Sequence, residues 1–197
     1  YNSFMCISRK ILNWYAPDER GLPWRKTKDP YAIWVSEIML QQTQANTVIP
    51  YYERFMAAFP TAKDLAMAGE EALLKHWQGL GYYRRAKHLK QAAEIVAREG
   101  MPRDFQGLKA LPGIGDYTAA AIASIAYGEA VAAVDGNLLR IFSRLYMIEK
   151  SIDKAAGKRQ IFELANAAIS RERPGDFNQA MMDLGNKICT PTSPACG

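Results

Sequence analysis

The chain has 197 residues, 49% of them hydrophobic, so it can bury a core as one large domain or two small lobes. A formal charge of +5 suits an acidic partner, and nucleic acid is the usual one for a basic chain. No apolar run reaches membrane-spanning length, since Tyr127, Glu129 and Asp135 interrupt the alanine-rich stretches, and three cysteines do not make a disulfide framework.

Apolar residues recur at i, i+3, i+4 spacing from end to end and alternating β-branched runs are absent, so the chain is predicted to be all-α, a compact multi-helix packing. The opening YNSFMCISRKILNWYAPDERG lacks a signal-peptide hydrophobic region, which predicts an intracellular protein. It starts on Tyr and not Met, and so reads as a segment excised from a longer chain. Phe4, Ile7, Ile11 and Trp14 fall on one stripe of its helix. The segment DPYAIWVSEIMLQQTQANTV begins with Asp29 as an N-cap and Pro30 at the first helical position. Thr61 and Asp64 have capping-box spacing in PTAKDLAMA. In YRRAKHLKQAAEIVAREG, Ala86, Leu89, Ala93 and Val96 share a face, and Gly100 ends the helix. Further helices are predicted in LLRIFSRLYMI, AAGKRQIFELANAAI and GDFNQAMMDLGNKI, joined by short linkers with Gly or Pro.

The stretch LKALPGIGDYTAAAIASIAYGEAVAAVDGN comes close to a dinucleotide-binding fingerprint, with Asp135 twenty positions after Gly115. That fingerprint needs a buried strand before its glycine turn. Here the turn follows a short helix with Leu108 and Leu111 at helical spacing, so the cofactor reading fails. Gly113 and Gly115 lack the Cβ atoms that would keep another backbone away, and the helix after them presents unpaired N–H groups. Such a turn holds a phosphate, or serves helix-helix geometry alone. Arg84, Arg85, Lys87 and Lys90 crowd the first turns of a helix, where cations are disfavoured. An anionic partner explains them, with Tyr82 and Tyr83 wedging into or stacking on bases; a solvated face with two core tyrosines is the alternative.

Two carboxylates stand out. Glu37 has Ile33, Trp34, Ile38 and Leu40 as helical neighbours, so burial should raise its pKa and leave it able to act as a general acid. Its bland reading is a stripe-edge glutamate hydrogen-bonded to Gln41 or a backbone group. Asp135 precedes Gly-Asn at a helix entry, where an N-cap carboxylate accepts backbone N–H bonds and stays ionised. Plain capping is its bland reading. As a pair, one neutral and one ionised carboxyl suit cleavage of a glycosidic bond through an oxocarbenium-like state.

Taken together, LPWRKTKDPYAIWVSEIMLQQTQANTVIPYYERFMAAFPT, WQGLGYYRRAKHL, LPGIGDYTAAAIASIAYG, AVDGN with Arg140, and FNQAMMDLGNKICTPTSPAC resemble the helix-hairpin-helix DNA glycosylase superfamily, MutY-type adenine DNA glycosylases above all. The resemblance implies a two-lobed helical fold. A six-helix lobe over residues 28–134 would contain the helix-hairpin-helix at about 106–128, and residues 1–27 with 135–197 would form the second lobe. It further implies a monofunctional enzyme that flips out adenine mispaired with 8-oxoguanine or guanine and cleaves its N-glycosidic bond. The partner would be double-stranded DNA, met by an intracellular, bacterial-type monomer.

Residue by residue, Glu37 matches the acid that protonates adenine N7, and Asp135 the carboxylate that stabilises the sugar cation. Asn137 matches an asparagine supporting that site. Tyr117 stands where bifunctional relatives carry a lysine nucleophile, so no Schiff base is expected. Gln42, Thr43, Leu80 and Tyr82 match residues that enter the duplex, and Trp24, Arg25 and Gln179 match the pocket for the flipped base. Gly113 and Gly115 would grip a DNA phosphate, and a monovalent cation on the turn's carbonyls is part of the implied picture. The family's cysteine motif holds a [4Fe–4S] cluster with four thiolates; here Cys189 and Cys196 supply its first interval before the sequence stops at Gly197, and Cys6 lies far away. The family's C-terminal domain, which helps recognise 8-oxoguanine, is not part of this sequence. The nearest rivals are a thymine glycosylase acting on T:G mismatches and a non-catalytic helix-hairpin-helix DNA-binding module.

Overall fold

The computed structural model describes residues 2–16, 21–152 and 154–196, with side chains from residue 7 onward; those of Phe4 and Cys6 lie outside the described residues. Eleven α-helices and one short 3₁₀ turn (Pro23–Arg25) make up its regular structure, and no strand occurs among the described residues. In chain order the helices are α1 (Asn2–Trp14), α2 (Pro30–Leu40), α3 (Ala45–Ala58), α4 (Ala62–Met67), α5 (Glu70–Trp77), α6 (Tyr83–Glu99), α7 (Phe105–Lys109), α8 (Asp116–Tyr127), α9 (Gly136–Leu145), α10 (Ala155–Ala168) and α11 (Pro174–Lys187). Seven of these lie between residues 28 and 134, one more than the six-helix lobe expected. Ala68 turns to extended backbone, so α4 stops there and Gly69 caps a separate α5.

The start and stop signals act as their chemistry dictates. Asp29 accepts the Tyr31 N–H at 3.1 Å, and Thr61 with Asp64 closes a reciprocal capping box. Gly100 ends α6 at φ +86°. The stripe predicted for α1 is only partly buried: Ile11 is inside, whereas Trp14 is 40% exposed and Tyr15, one residue on, takes the buried place.

Two helices form the centre. Tyr31 to Met39 of α2 are all buried, the pattern of a helix enclosed on every side. α2 packs on α8, whose Ala119, Ala120, Ala121 and Ala123 are buried and too small to hold the axes apart. Buried apolar side chains fall into two clusters. One gathers around Trp34, Phe55, Trp77 and Ile122, the other around Ile11, Phe142, Ile161 and Phe177. α11 joins them, touching α8 on one side and α9 and α1 on the other. Gly175 makes this junction close, because a Cβ there would lie 2.7 Å from Ile125 Cα.

The loop between α8 and α9 is stapled by two asparagines. Fully buried Asn178 accepts the Ala133 N–H at 3.0 Å and donates to Val131 O and Ser124 Oγ at 3.0 and 2.8 Å. Asn166 accepts the Ala132 N–H at 2.9 Å. Every polar atom of Asn178 is engaged, so this buried amide fixes extended backbone where no sheet exists to do it.

Candidate active site

A cavity of about 500 Å³ is lined by residues of the first cluster, Trp24 and Ile125 among them, and by Arg25, Glu37, Tyr117, Asp135 and Gln179. Its size suits one small ligand.

α2 delivers Glu37 into this cavity. The residue is 5% exposed, and its Oε2 is buried without a hydrogen-bond partner. Burial pushes its pKa up to about 7; hydrogen bonding by Tyr117 and the charge of Arg25 oppose the shift, and Asp135 adds to it. Gln41 is not its partner, because it turns away and donates to Thr118 Oγ1 at 3.4 Å. A carboxyl poised near neutrality with one free oxygen can hand a proton to a ligand.

Asp135 arrives from the stapled loop as the N-cap of α9. One oxygen accepts the Leu138 N–H at 2.9 Å and the other accepts from Asn137 Nδ2 at 2.8 Å. Asn137 is in turn held by Arg140, whose Nη2 donates to Asn137 Oδ1 at 2.8 Å and to Gly185 O at 2.9 Å. Gly185 leaves the room for this: a Cβ there would sit 2.6 Å from Asn137 Cβ. The carboxylate is therefore fixed in orientation through three layers of contacts.

Tyr117, one residue into α8, carries a phenol raised well above its ordinary pKa, mainly by burial and next by Glu37. Its hydroxyl donates to Met182 Sδ at 3.6 Å and also faces the Glu37 carboxyl. No lysine is among the residues that line the cavity.

The cavity floor is a linked pair of contacts. Arg25 forms a two-pronged ion pair with Asp183 at 2.6 and 3.0 Å, both side chains nearly fully buried. Tyr15 donates to Gln179 Oε1 at 2.9 Å, and Arg25 lies over the Tyr15 ring. Trp24 stands edge-on to Tyr52. Asp183 and Tyr15 were not read as site residues. Asp183 is one helical turn beyond Gln179, and that spacing was the available signal.

The residues expected to enter a duplex divide. Gln42 and Tyr82 both have left-handed backbones, at φ +57° and +50°, and Tyr82 is 60% exposed. They line an open groove of about 390 Å³ with Arg84 and His88. Thr43 faces the cavity. Leu80 differs: it is 6% exposed and packed into the first cluster, since the turn at Gly79 and Gly81 folds it inward.

The crowded cations are mostly spoken for within the chain. Arg85 Nη1 donates to the carbonyls of Ile38, Met39 and Gln41, capping the end of α2. Lys87 pairs with Glu70, and Lys90 with Glu94 and Ala66 O. Tyr82 and Tyr83 are exposed, not core.

The two hairpin glycines serve different ends. Gly113 sits at φ +77°, and its missing Cβ is replaced by His88, 2.7 Å away. Gly115, the N-cap of α8, faces open space. Only Gly115 keeps a lane clear for an outside group; Gly113 is required by packing.

Cys189 is half-buried with its Sγ 3.4 Å from Arg144 Nη1, and Cys196 is exposed. The Ala195 N–H to Ile188 O bond at 3.0 Å closes the loop between them. These two thiols are half of the donor set a four-thiolate cluster needs, and no metal-sized group of ligands occurs among the described residues. The described residues do not by themselves fit such a cluster, and no chemical step is routed through one.

A buried carboxyl and a fixed carboxylate thus share one helical cleft beside a hairpin. Residues 35–167 match the HhH-GPD superfamily of base excision DNA repair proteins, and the chain belongs to that family. It is 44% identical to the adenine DNA glycosylase of Rattus norvegicus over 200 residues, covering 95% of this chain and 39% of that protein. Identity to the Homo sapiens adenine DNA glycosylase is 45% over 198 residues, covering 94% and 36%. The chain thus spans well under half the length of these relatives. Its fold is similar to that of a thermostable thymine-DNA glycosylase, with a TM-score of 0.86, 30% identity and coverage of 98% of this chain and 90% of that one.

Proposed function

We propose that the chain is the catalytic part of a monofunctional DNA glycosylase that removes adenine mispaired with 8-oxoguanine or guanine. The observation that carries this reading is the unpartnered, buried Glu37 carboxyl facing the same cavity as the rigidly held Asp135. The chain binds double-stranded DNA as a monomer. Gly115 at the start of α8 takes a backbone phosphate, and Gln42 and Tyr82 press into the duplex beside the orphaned base. Extruded adenine enters the cavity, met by Trp24, Arg25 and Gln179.

Glu37 donates its proton to adenine N7. The bond from N9 to C1′ then breaks with its electron pair going to the base, which leaves neutral. Asp135 faces the resulting sugar cation and stabilises it until water adds at C1′, releasing a proton and leaving an abasic site. Tyr117 supplies no amine, so the strand is not cut through a Schiff base.

Glu37→Gln and Asp135→Asn should each lower base release at least 1,000-fold, roughly the scale of losing a general acid, with duplex affinity kept. Borohydride should trap no covalent complex. No measurable change in either variant would support the non-catalytic module, and a trapped complex would contradict the monofunctional assignment. A second reading, thymine removal from T:G, is favoured by the likeness to a thymine-DNA glycosylase.

A further inference from the structure

Met182, on α11, contributes to the cavity a sulfur that no step above uses. It lines the cavity and accepts the Tyr117 hydroxyl at 3.6 Å; that hydroxyl also hydrogen-bonds the Glu37 carboxyl, whose Oε2 is buried without a partner. We propose that Met182 is a positioning residue for the acid: its thioether competes with Glu37 for the single Tyr117 O–H, so that the hydroxyl commits fully to the carboxylate only once the proton of Glu37 has been given up.

The argument is one of acceptor strength. A thioether is a weak acceptor and a carboxylate a strong one. While Glu37 is protonated, its carboxyl is a weaker acceptor, and the hydroxyl is shared with Met182. As the proton passes to the base, negative charge grows on Glu37, and rotation of the O–H brings a donor to the unpartnered Oε2. The bond then strengthens where the charge develops, so it stabilises the transition state more than the ground state.

All the ionisable groups that face Glu37 enter this balance. Tyr117 of α8 and Arg25 of the 3₁₀ turn favour its ionised form, and Asp135 opposes it; Arg25 is itself tied to Asp183 of α11. Among these, only Tyr117 can change partner by rotating a single bond.

This inference rests on Glu37 being the acid, so its test needs a readout besides activity. Met182→Leu keeps volume and removes the acceptor; Tyr117→Phe removes the donor. The Glu37 carboxyl is followed by carbon-13 NMR titration, assigned by its loss in Glu37→Gln, with folding checked by thermal melts. Met182→Leu should move the Glu37 midpoint to lower pH by roughly one unit, the effect of one hydrogen bond to a carboxylate. Base release should lose the same span from the top of its pH range while the low-pH rate is retained. Tyr117→Phe should move the midpoint upward, and Met182→Leu added to it should change nothing further. An unmoved midpoint in Met182→Leu, or a shift that persists without the Tyr117 hydroxyl, would overturn the proposal. Full base release by Glu37→Gln would instead overturn the assignment of the acid, while the titration would still judge Met182.

Discussion

Glu37 is held at a cost to the fold. Its pKa of about 7 lies above the ordinary 4.5 of a glutamate, so the unfolded chain gives up this proton first as pH rises. Between those two values the folded state progressively loses stability relative to the unfolded one, on the order of a few kcal/mol by pH 8. Glu37→Gln should therefore melt higher than the parent at pH 8 and no higher below pH 4, in a comparison of melting curves. Equal melting at both pH values would mean that the carboxyl is not desolvated. The oddity was legible in the sequence, because a carboxylate among Ile33, Trp34, Ile38 and Leu40 has no water to face. Its partners were harder to read. Arg25 and Asp183 meet across 158 residues, and nothing in either neighbourhood marks the pairing.

Helices with complete local signals were legible as well. α6 has its apolar face and its terminal Gly100, and α8 has its alanine stripe. The break between α2 and α3 was not, since no Gly or Pro marks Gln41–Gln44. Arg85, more than 40 residues on, draws the last carbonyls of α2 together, so a tertiary contact ends that helix. The same reassignment explains why the cation cluster misled: most of it serves the chain itself. At the hairpin, Gly113→Ala forces a Cβ at positive φ against His88 and should destabilise by about 1–3 kcal/mol. Gly115→Ala meets nothing and should stay within about 0.5 kcal/mol of the parent. Duplex affinity should nonetheless fall in Gly115→Ala, measured by anisotropy on the folded protein. Unchanged affinity there would remove the phosphate role of the turn.

Across the whole molecule, the site exists because two clusters are joined at α8 and α11. Glu37 and Tyr117 come from α2 and α8, and Asp135 from a loop that Asn178 of α11 holds. Asn178→Ala would leave the Ala133 N–H and Val131 carbonyl without their partner, a loss of about 1–3 kcal/mol for each group left unsatisfied. It should slow base release more than it weakens DNA binding, as single-turnover rates and affinities would report; an equal loss in both would indicate general unfolding. The all-helical class was legible in periodicity and the two lobes in the resemblance, but the closeness of the lobes was not, since it depends on Gly175 meeting Ile125, a neighbour distant in sequence. The central claim is the identity of the excised base. The most direct measurement is single-turnover release from duplexes holding A:8-oxoguanine, A:G and T:G, recorded across pH. Adenine should be released from the first two, with a rate that falls as pH rises through about 7, where Glu37 loses its proton, and T:G should stay intact; release of thymine from T:G alone would contradict the account.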